Sequence, residues 1–275
     1  MYLYNIKSIR LWFTSILITF LFLGCDTTSG DSTDFKSTHE SQVSSILFAH
    51  GFMSDASTWN HFSAITDAYD SREWVVYRTN VAKTGTIITR ASQLADYINA
   101  QNLEDNSLLV VGHSMGGLDL RYIISQGNQN QSINNKYYRA SKTIHQFYTI
   151  ATPHKGSTIA SFVSGDAGAI HDLSTTQMKK FNQEHPYSHS WVDGRAIPML
   201  AFRFSCKKNN VDDGVVDVNK QILDGAPYTE EIFDGKHTSG LENLCTQDVT
   251  EELLQNRVIE SILDNNTPKE VINGI

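Results

Sequence analysis

The sequence predicts an α/β domain, built on a mainly parallel sheet with helices on both faces and a modest lid-like insertion. Three observations predict it. Short apolar runs of strand length alternate with amphipathic segments of helical spacing from residue 45 to residue 263, the pattern of parallel strands joined by crossover helices. One run, Leu108-Leu109-Val110-Val111, shows no polar side and suits a strand buried on both faces. It leads directly into Gly112-His113-Ser114-Met115-Gly116, a Gly-x-Ser-x-Gly turn followed by a helical pattern, which lifts a serine hydroxyl to the carboxyl rim of the sheet.

The elements follow in order. Residues 45–50 are the first strand and 74–78 the second. Residues 86–100 place Ile87, Ala91, Leu94, Ala95 and Ile98 at helical spacing, one face for the sheet. Residues 107–111 are the central strand, and 115–126 its helix, with Gly127 as the stop. Strands at 143–150, 197–204 and 228–233 come next, and an amphipathic helix at 249–263 closes the chain. Residues 155–195 interrupt the pattern. Ile159, Phe162, Val163, Ile170, Leu173, Met178 and Phe181 make that insertion an apolar cover, the composition of a lid. No linker or internal repeat divides residues 45–275, which read as one domain.

The amino terminus reads as separate from the fold. Lys7 and Arg10 precede an apolar stretch from Leu11 to Leu23, too short for a comfortable membrane span. Leu21-Phe22-Leu23-Gly24-Cys25 resembles a bacterial lipobox, with Phe22 where leucine is more usual. The resemblance implies a signal peptide at 1–24, a lipid anchor on Cys25, and an exported lipoprotein on the periplasmic or cell-surface side. Cleavage would remove two positive charges and take the net charge from −8 to −10. The polar residues 25–44 then serve as a tether to the membrane. Cys206 and Cys245 remain, and an oxidising compartment would pair them.

The acidic balance and the lack of a basic stripe exclude nucleic acid as a natural partner. No phosphate-cradling glycine motif is present, so no nucleotide cofactor is expected.

The pentapeptide alone matches by chance about once in 3,000 positions, so the strand and helix around it carry the argument. A serine hydroxyl needs a general base, and the base needs an orienting carboxylate. Where this turn supplies the nucleophile, the acid and then the histidine follow it along the chain. Of ten histidines, His237 alone follows the last strand. His145 falls within a strand and packs there; His171, His185 and His189 fall in the insertion. Asp212-Asp213-Gly214-Val215-Val216-Asp217 follows the strand ending at Phe204. Asp213 is the candidate acid, and Asp212 and Asp217 read as surface or loop-capping carboxylates. A Cys206–Cys245 bridge would tie the acid loop to the base loop, worth about 2–4 kcal/mol. The oxyanion donors are the N–H of Met115, after the nucleophile, and of Phe52, in the turn His50-Gly51-Phe52-Met53. His50 has two readings, a ring that bonds the loop or a direct catalytic group. His113 packs or fixes the turn.

Taken together, these segments resemble the true bacterial lipases, the triacylglycerol lipases of Pseudomonas, Burkholderia and Proteus. The likeness is carried by Phe48-Ala49-His50-Gly51-Phe52, by Gly112-His113-Ser114-Met115-Gly116-Gly117 with Arg121-Tyr122, by Ile150-Ala151-Thr152-Pro153-His154-Lys155-Gly156-Ser157, and by Leu173 to Pro186. The resemblance implies an α/β-hydrolase fold, a Ser114, Asp213 and His237 triad, and hydrolysis of acylglycerols or related acyl esters. It departs in two places. Ser239 stands where those lipases carry a calcium-binding aspartate, which puts calcium in doubt, and residues 156–172 are short for a large double lid. Thioesterase, acyltransferase and polyester depolymerase chemistry are alternatives on the same fold, as is a non-catalytic surface lipoprotein.

Overall fold

Why the apolar runs alternate as they do is visible in the sheet they build. The computed structural model describes residues 43, 45–62, 74–158, 160, 168–206, 211–237, 258–259 and 261–263. Six strands, β1 (Ser45–Ala49), β2 (Val75–Arg78), β3 (Leu108–His113), β4 (Ile144–Ile150), β7 (Met199–Ser205) and β8 (Tyr228–Asp234), form one sheet in the order β2-β1-β3-β4-β7-β8. Every neighbouring pair is parallel. A separate antiparallel hairpin joins β5 (Trp191–Val192) to β6 (Arg195–Ala196).

Successive side chains leave opposite faces of a strand, so each run feeds two cores. Leu47, Val110, Phe147 and Ala201 pack on one face with Leu94, Ile98, Leu120 and Ile123. Ile46, Phe48, Val111, Tyr148 and Phe202 pack on the other with Trp59, Val258, Ile259 and Ile262. Each large aliphatic side chain buried this way contributes about 1.5–3 kcal/mol.

The helices on the first face are α1 (Ile87–Ala100), α2 (Met115–Gln129) and α3 (Lys136–Thr143). The Thr86 hydroxyl caps α1 by accepting from Thr89 N–H, and the Asn135 side chain caps α3 by accepting from Tyr137 N–H. Two short helices, α4 (Ala169–Asp172) and α5 (Thr175–Glu184), belong to the inserted segment.

Several element bounds shift, most of all at the end of the nucleophile helix. Gly127 does not stop α2, which runs to Gln129. A Cβ on Gly127 would strike Ser141 and come within 3.0 Å of the Tyr137 carbonyl. The glycine lets α2 and α3 touch. Helix α3 and the β5–β6 hairpin were not foreseen, and α3 takes Thr143 from the predicted strand.

The membrane-anchored lipoprotein is corrected here. No helix among the described residues is long and apolar enough to cross a membrane, and nothing in the described fold supports attachment through Cys25 or a periplasmic or cell-surface location. The predicted signal peptide, Cys25 and the tether up to residue 42 lie outside the described residues, as do Ile159, Phe162, Val163, Ser239, Cys245 and most of the predicted helix 249–263.

Candidate active site

The parallel order brings the loops after β1, β3, β4, β7 and β8 to one rim, where an open α/β sheet binds ligands. Ser114 sits between the end of β3 and α2 with φ 53° and ψ −126°. A non-glycine residue there costs about 1–3 kcal/mol, and the crowded turn enforces it. A Cβ on Gly116 would strike the Ala49 carbonyl, and one on Gly112 would lie 2.5 Å from Gly117. Strand, turn and helix therefore approach as only glycine permits, and the serine side chain is pushed out at the helix amino terminus.

The base and acid arrive from the last two strands. His237 Nε2 lies 2.8 Å from Ser114 Oγ, and His237 Nδ1 lies 2.8 Å from Asp213 Oδ2. All three residues are buried. The ring therefore carries its proton on Nδ1, toward the carboxylate, and offers Nε2 to the hydroxyl, the arrangement of a general base. Asp213 Oδ1 accepts from Val215 N–H (3.0 Å) and Val216 N–H (2.7 Å). The His237 N–H donates to the Asp213 carbonyl at 2.8 Å, so base and acid loops are also joined through the backbone. This is the catalytic triad of a serine hydrolase. The competing carboxylates are engaged elsewhere: Asp212 caps Gly214 N–H at 2.9 Å, and Asp217 pairs with Lys220 at 2.6 Å.

The other histidines divide cleanly. His50 donates from Nδ1 to the Gly51 carbonyl (2.8 Å) and accepts at Nε2 from Val81 N–H (3.2 Å). Both nitrogens are committed, and burial lowers its pKa, so it is a neutral strut under the turn that carries Phe52. His113 is turned toward the His237 carbonyl with ring centroids 5.0 Å apart, and burial pushes its pKa down to about 3. His145 meets Asn106 Oδ1 at 3.1 Å. His185 lies 2.9 Å from Ser125 Oγ, and His189 3.3 Å from the same oxygen.

Phe52 and Met115 share an apolar cluster with Ile87, Leu118, Ala169, Leu173, Met178, Ala160 and Phe181. The inserted segment thus lies against the amino end of α2, and Ile170 is half-buried beside it. Arg121 holds that segment down. Its guanidinium donates to the His185 carbonyl (3.0 Å) and Asn182 Oδ1 (2.5 Å), meets His154 Nδ1 at 3.2 Å, and lies 4.5 Å from the Phe181 ring centre. It has no carboxylate partner among the described residues, and burial lowers its pKa to about 9.

Sequence reasoning missed three buried groups. Arg90 pairs with Asp119 at 2.9 Å, both fully buried, and also donates to the His50 carbonyl (2.6 Å) and the Ala82 carbonyl (2.9 Å). Burial raises Asp119 to about 7 against the pull of Arg90. The readable signal was a charge on the apolar face of α1, between Ile87 and Leu94. Gln221 is the third, and no periodicity marks it.

Asp212 and Asp217 are satisfied within the protein, and no group of three metal-ligating side chains gathers among the described residues. Cys206 is disulfide-bonded; Cys245, its expected partner, is not described.

Comparison with known proteins places this geometry. The family model of lecithin:cholesterol acyltransferase matches residues 86–260. Triacylglycerol lipase 2 of Saccharomyces cerevisiae is 33% identical over 138 residues, covering 43% of this chain and 39% of that protein. The chain therefore spans well under half of that curated relative. The mature form of a Bacillus licheniformis lipase superposes with a TM-score of 0.58 at 16% identity, over 82% of this chain and 93% of that one. A metagenomic carboxyl esterase does so with a TM-score of 0.55 at 11% identity, over 82% of this chain and 76% of that one. At these identities the solved structures show the α/β-hydrolase fold. They correct the resemblance to the Pseudomonas, Burkholderia and Proteus lipases: the matching family model is a different one, and the similar structures are diverse esterases and lipases.

Proposed function

The chain belongs to the lecithin:cholesterol acyltransferase family, and from that premise we propose that it hydrolyses acylglycerols or related acyl esters through an acyl-enzyme on Ser114. The continuous relay from Ser114 Oγ through His237 to Asp213, 2.8 Å at each step, carries the reading.

Ser114 Oγ attacks the ester carbonyl as His237 Nε2 takes its proton, and Asp213 stabilises the imidazolium that forms. We assign the oxyanion to two backbone N–H groups. Met115 opens α2 and has no helical acceptor for its N–H, whereas the Ser114 N–H donates to the Ile150 carbonyl at 2.9 Å. In the other turn the Met53 N–H donates to the Lys83 carbonyl at 2.8 Å, which leaves Phe52 as the donor. Collapse of the tetrahedral intermediate expels the alcohol, protonated by His237. Water activated by the same base then releases the acid. Residues 155–195 act as a lid on the acyl side, supported by the apolar cluster that Phe52 and Met115 share with Leu173 and Met178.

Wild-type enzyme and Ser114→Ala, compared on p-nitrophenyl esters of graded chain length, test the proposal. Turnover that disappears in the variant supports it, and a variant that keeps most of its activity sinks it.

A second reading, acyl transfer to an alcohol, is favoured by the family match alone. Product analysis with competing alcohols separates the two, since transfer yields a new ester and hydrolysis only free acid.

A further inference from the structure

One fully buried polar side chain beside the triad is not used by the mechanism above. Gln221 is fully buried, just after a turn of 3-10 helix, Val218–Lys220. Its Oε1 accepts from the Phe204 N–H at 2.7 Å, and its Nε2 donates to the Phe204 carbonyl at 2.9 Å. The amide so pairs with both backbone groups of Phe204, as a further strand would, and this fixes the direction of the second amide hydrogen. That hydrogen faces two acceptors, the Val216 carbonyl at 3.1 Å and Asp213 Oδ2 at 3.2 Å. Oδ2 is the oxygen that accepts the hydrogen bond from His237 Nδ1–H.

We propose that Gln221 is a positioning residue for the catalytic acid, and that its amide hydrogen shares Asp213 Oδ2 with His237 and so sets how strongly the carboxylate holds the imidazolium. The inference rests on the triad reading above. Burial and four hydrogen bonds explain a glutamine as packing; the direction of the fourth bond explains why it matters to turnover. Asp213 Oδ1 is held separately by Val215 and Val216 N–H, so losing Gln221 does not free the carboxylate to rotate. It removes a donor that competes with His237 for Oδ2. A carboxylate with fewer competing donors stabilises the neighbouring cation more, so the proton on His237 is held more tightly. Among the described residues, the titratable groups facing His237 are Asp213 from the acid loop, Ser114, and His113 of β3, which burial keeps neutral. None of them changes when Gln221 does.

The test is the pH dependence of kcat/KM for Gln221→Met, normalised to active enzyme by fluorophosphonate titration of Ser114. The acid limb is expected to move to higher pH by about half a unit, since the lost bond is long and shared. A purely structural role lowers the titratable fraction and leaves the limb where it was, which would overturn the inference. Wild-type enzyme that turns over no ester condemns the proposed function instead. Should the variant not fold, the wild-type protein decides by NMR without substrate. The Gln221 side-chain amide signal is expected to shift with the titration of His237, and a signal that stays fixed across that range overturns the proposal.

Discussion

Replacing Arg90 by methionine tests how the nucleophile helix and the turn after β1 are held together. The side chain keeps its bulk but loses donors to Asp119, to the His50 carbonyl and to the Ala82 carbonyl. Asp119 is left fully buried with Oδ1 already lacking a partner among the described residues. Breaking a buried pair from one side costs about 3–5 kcal/mol, about a fifth or more of the total for a domain held by about 5–15 kcal/mol. The melting temperature should fall by about 10 °C. The loss depends on pH in a definite direction. Asp119 has a folded pKa near 7, well above its unfolded value of 3.8. Its burdened ionisation is therefore absent at low pH and grows as pH rises through the folded value. Without Arg90 that burden is larger, so the variant's deficit should be greater at pH 8.5 than at pH 6. Urea denaturation of wild type, Arg90→Met and the double variant Arg90→Met with Asp119→Leu measures it. The double variant should recover most of the loss, though the His50 and Ala82 carbonyls stay unpaired. A deficit under about 1 kcal/mol, or one that shrinks as pH rises, refutes the reasoning.

Further expectations follow from the same geometry. Asp213→Asn should lower kcat by about 10⁴-fold, while Asp212→Asn should leave kcat within a factor of about two; steady-state kinetics on one ester tells them apart, and equal effects would misplace the acid. Met178, the one side chain of α5 that is fully buried, packs in the cluster beside Phe52 and Met115. Met178→Ala should cost about 2–5 kcal/mol in denaturant and move the preferred p-nitrophenyl ester to a longer acyl chain; an unchanged chain-length profile argues against a lid on the acyl side. Of the histidines whose pKa burial lowers, three are lowered most, with His113 at about 3, His185 at about 4 and His154 well below 6.5. Their folded pKa values are depressed, so the stability they contribute is present above about 6.5 and lost as pH falls toward 4. Asp119 works in the opposite sense, but it is one group against three. The urea midpoint should drop between pH 7 and pH 5.5, and a flat or rising midpoint counts against the burial argument.

The nucleophile, base and acid could be read from the sequence because local signals coincide with topology. The turn at Ser114 needs glycines at fixed positions, and chain order after the central strand leaves His237 alone. Asp213 was separable from Asp212 and Asp217 only by its place before Gly-Val-Val, and the structure shows why. The two valine N–H groups that follow fold back onto its Oδ1. Arg90 and Gln221 stayed hidden because their partners are 29 and 8 residues away and neither residue type signals burial. The β5–β6 strands are two residues long, too short for periodicity to register. The family was misread because the oxyanion turn, elbow and acid loop are what the fold requires of many hydrolases. Motifs that follow from shared mechanics discriminate poorly between lineages.

The sheet order also ranks the catalytic groups by how easily they are lost. Ser114 leaves β3, which is flanked by β1 and β4, whereas His237 follows β8, an edge strand with Tyr228 and Ile232 partly in solvent. Segments with solvent-exposed backbone hydrogen bonds and few buried apolar contacts open at the low end of the stability range. Detaching β8 removes the base while the elbow, built from β1, β3 and α2, stays folded. Opening of that edge alone would leave an inactive molecule with an intact nucleophile, so turnover would report the integrity of one sheet edge rather than of the whole domain.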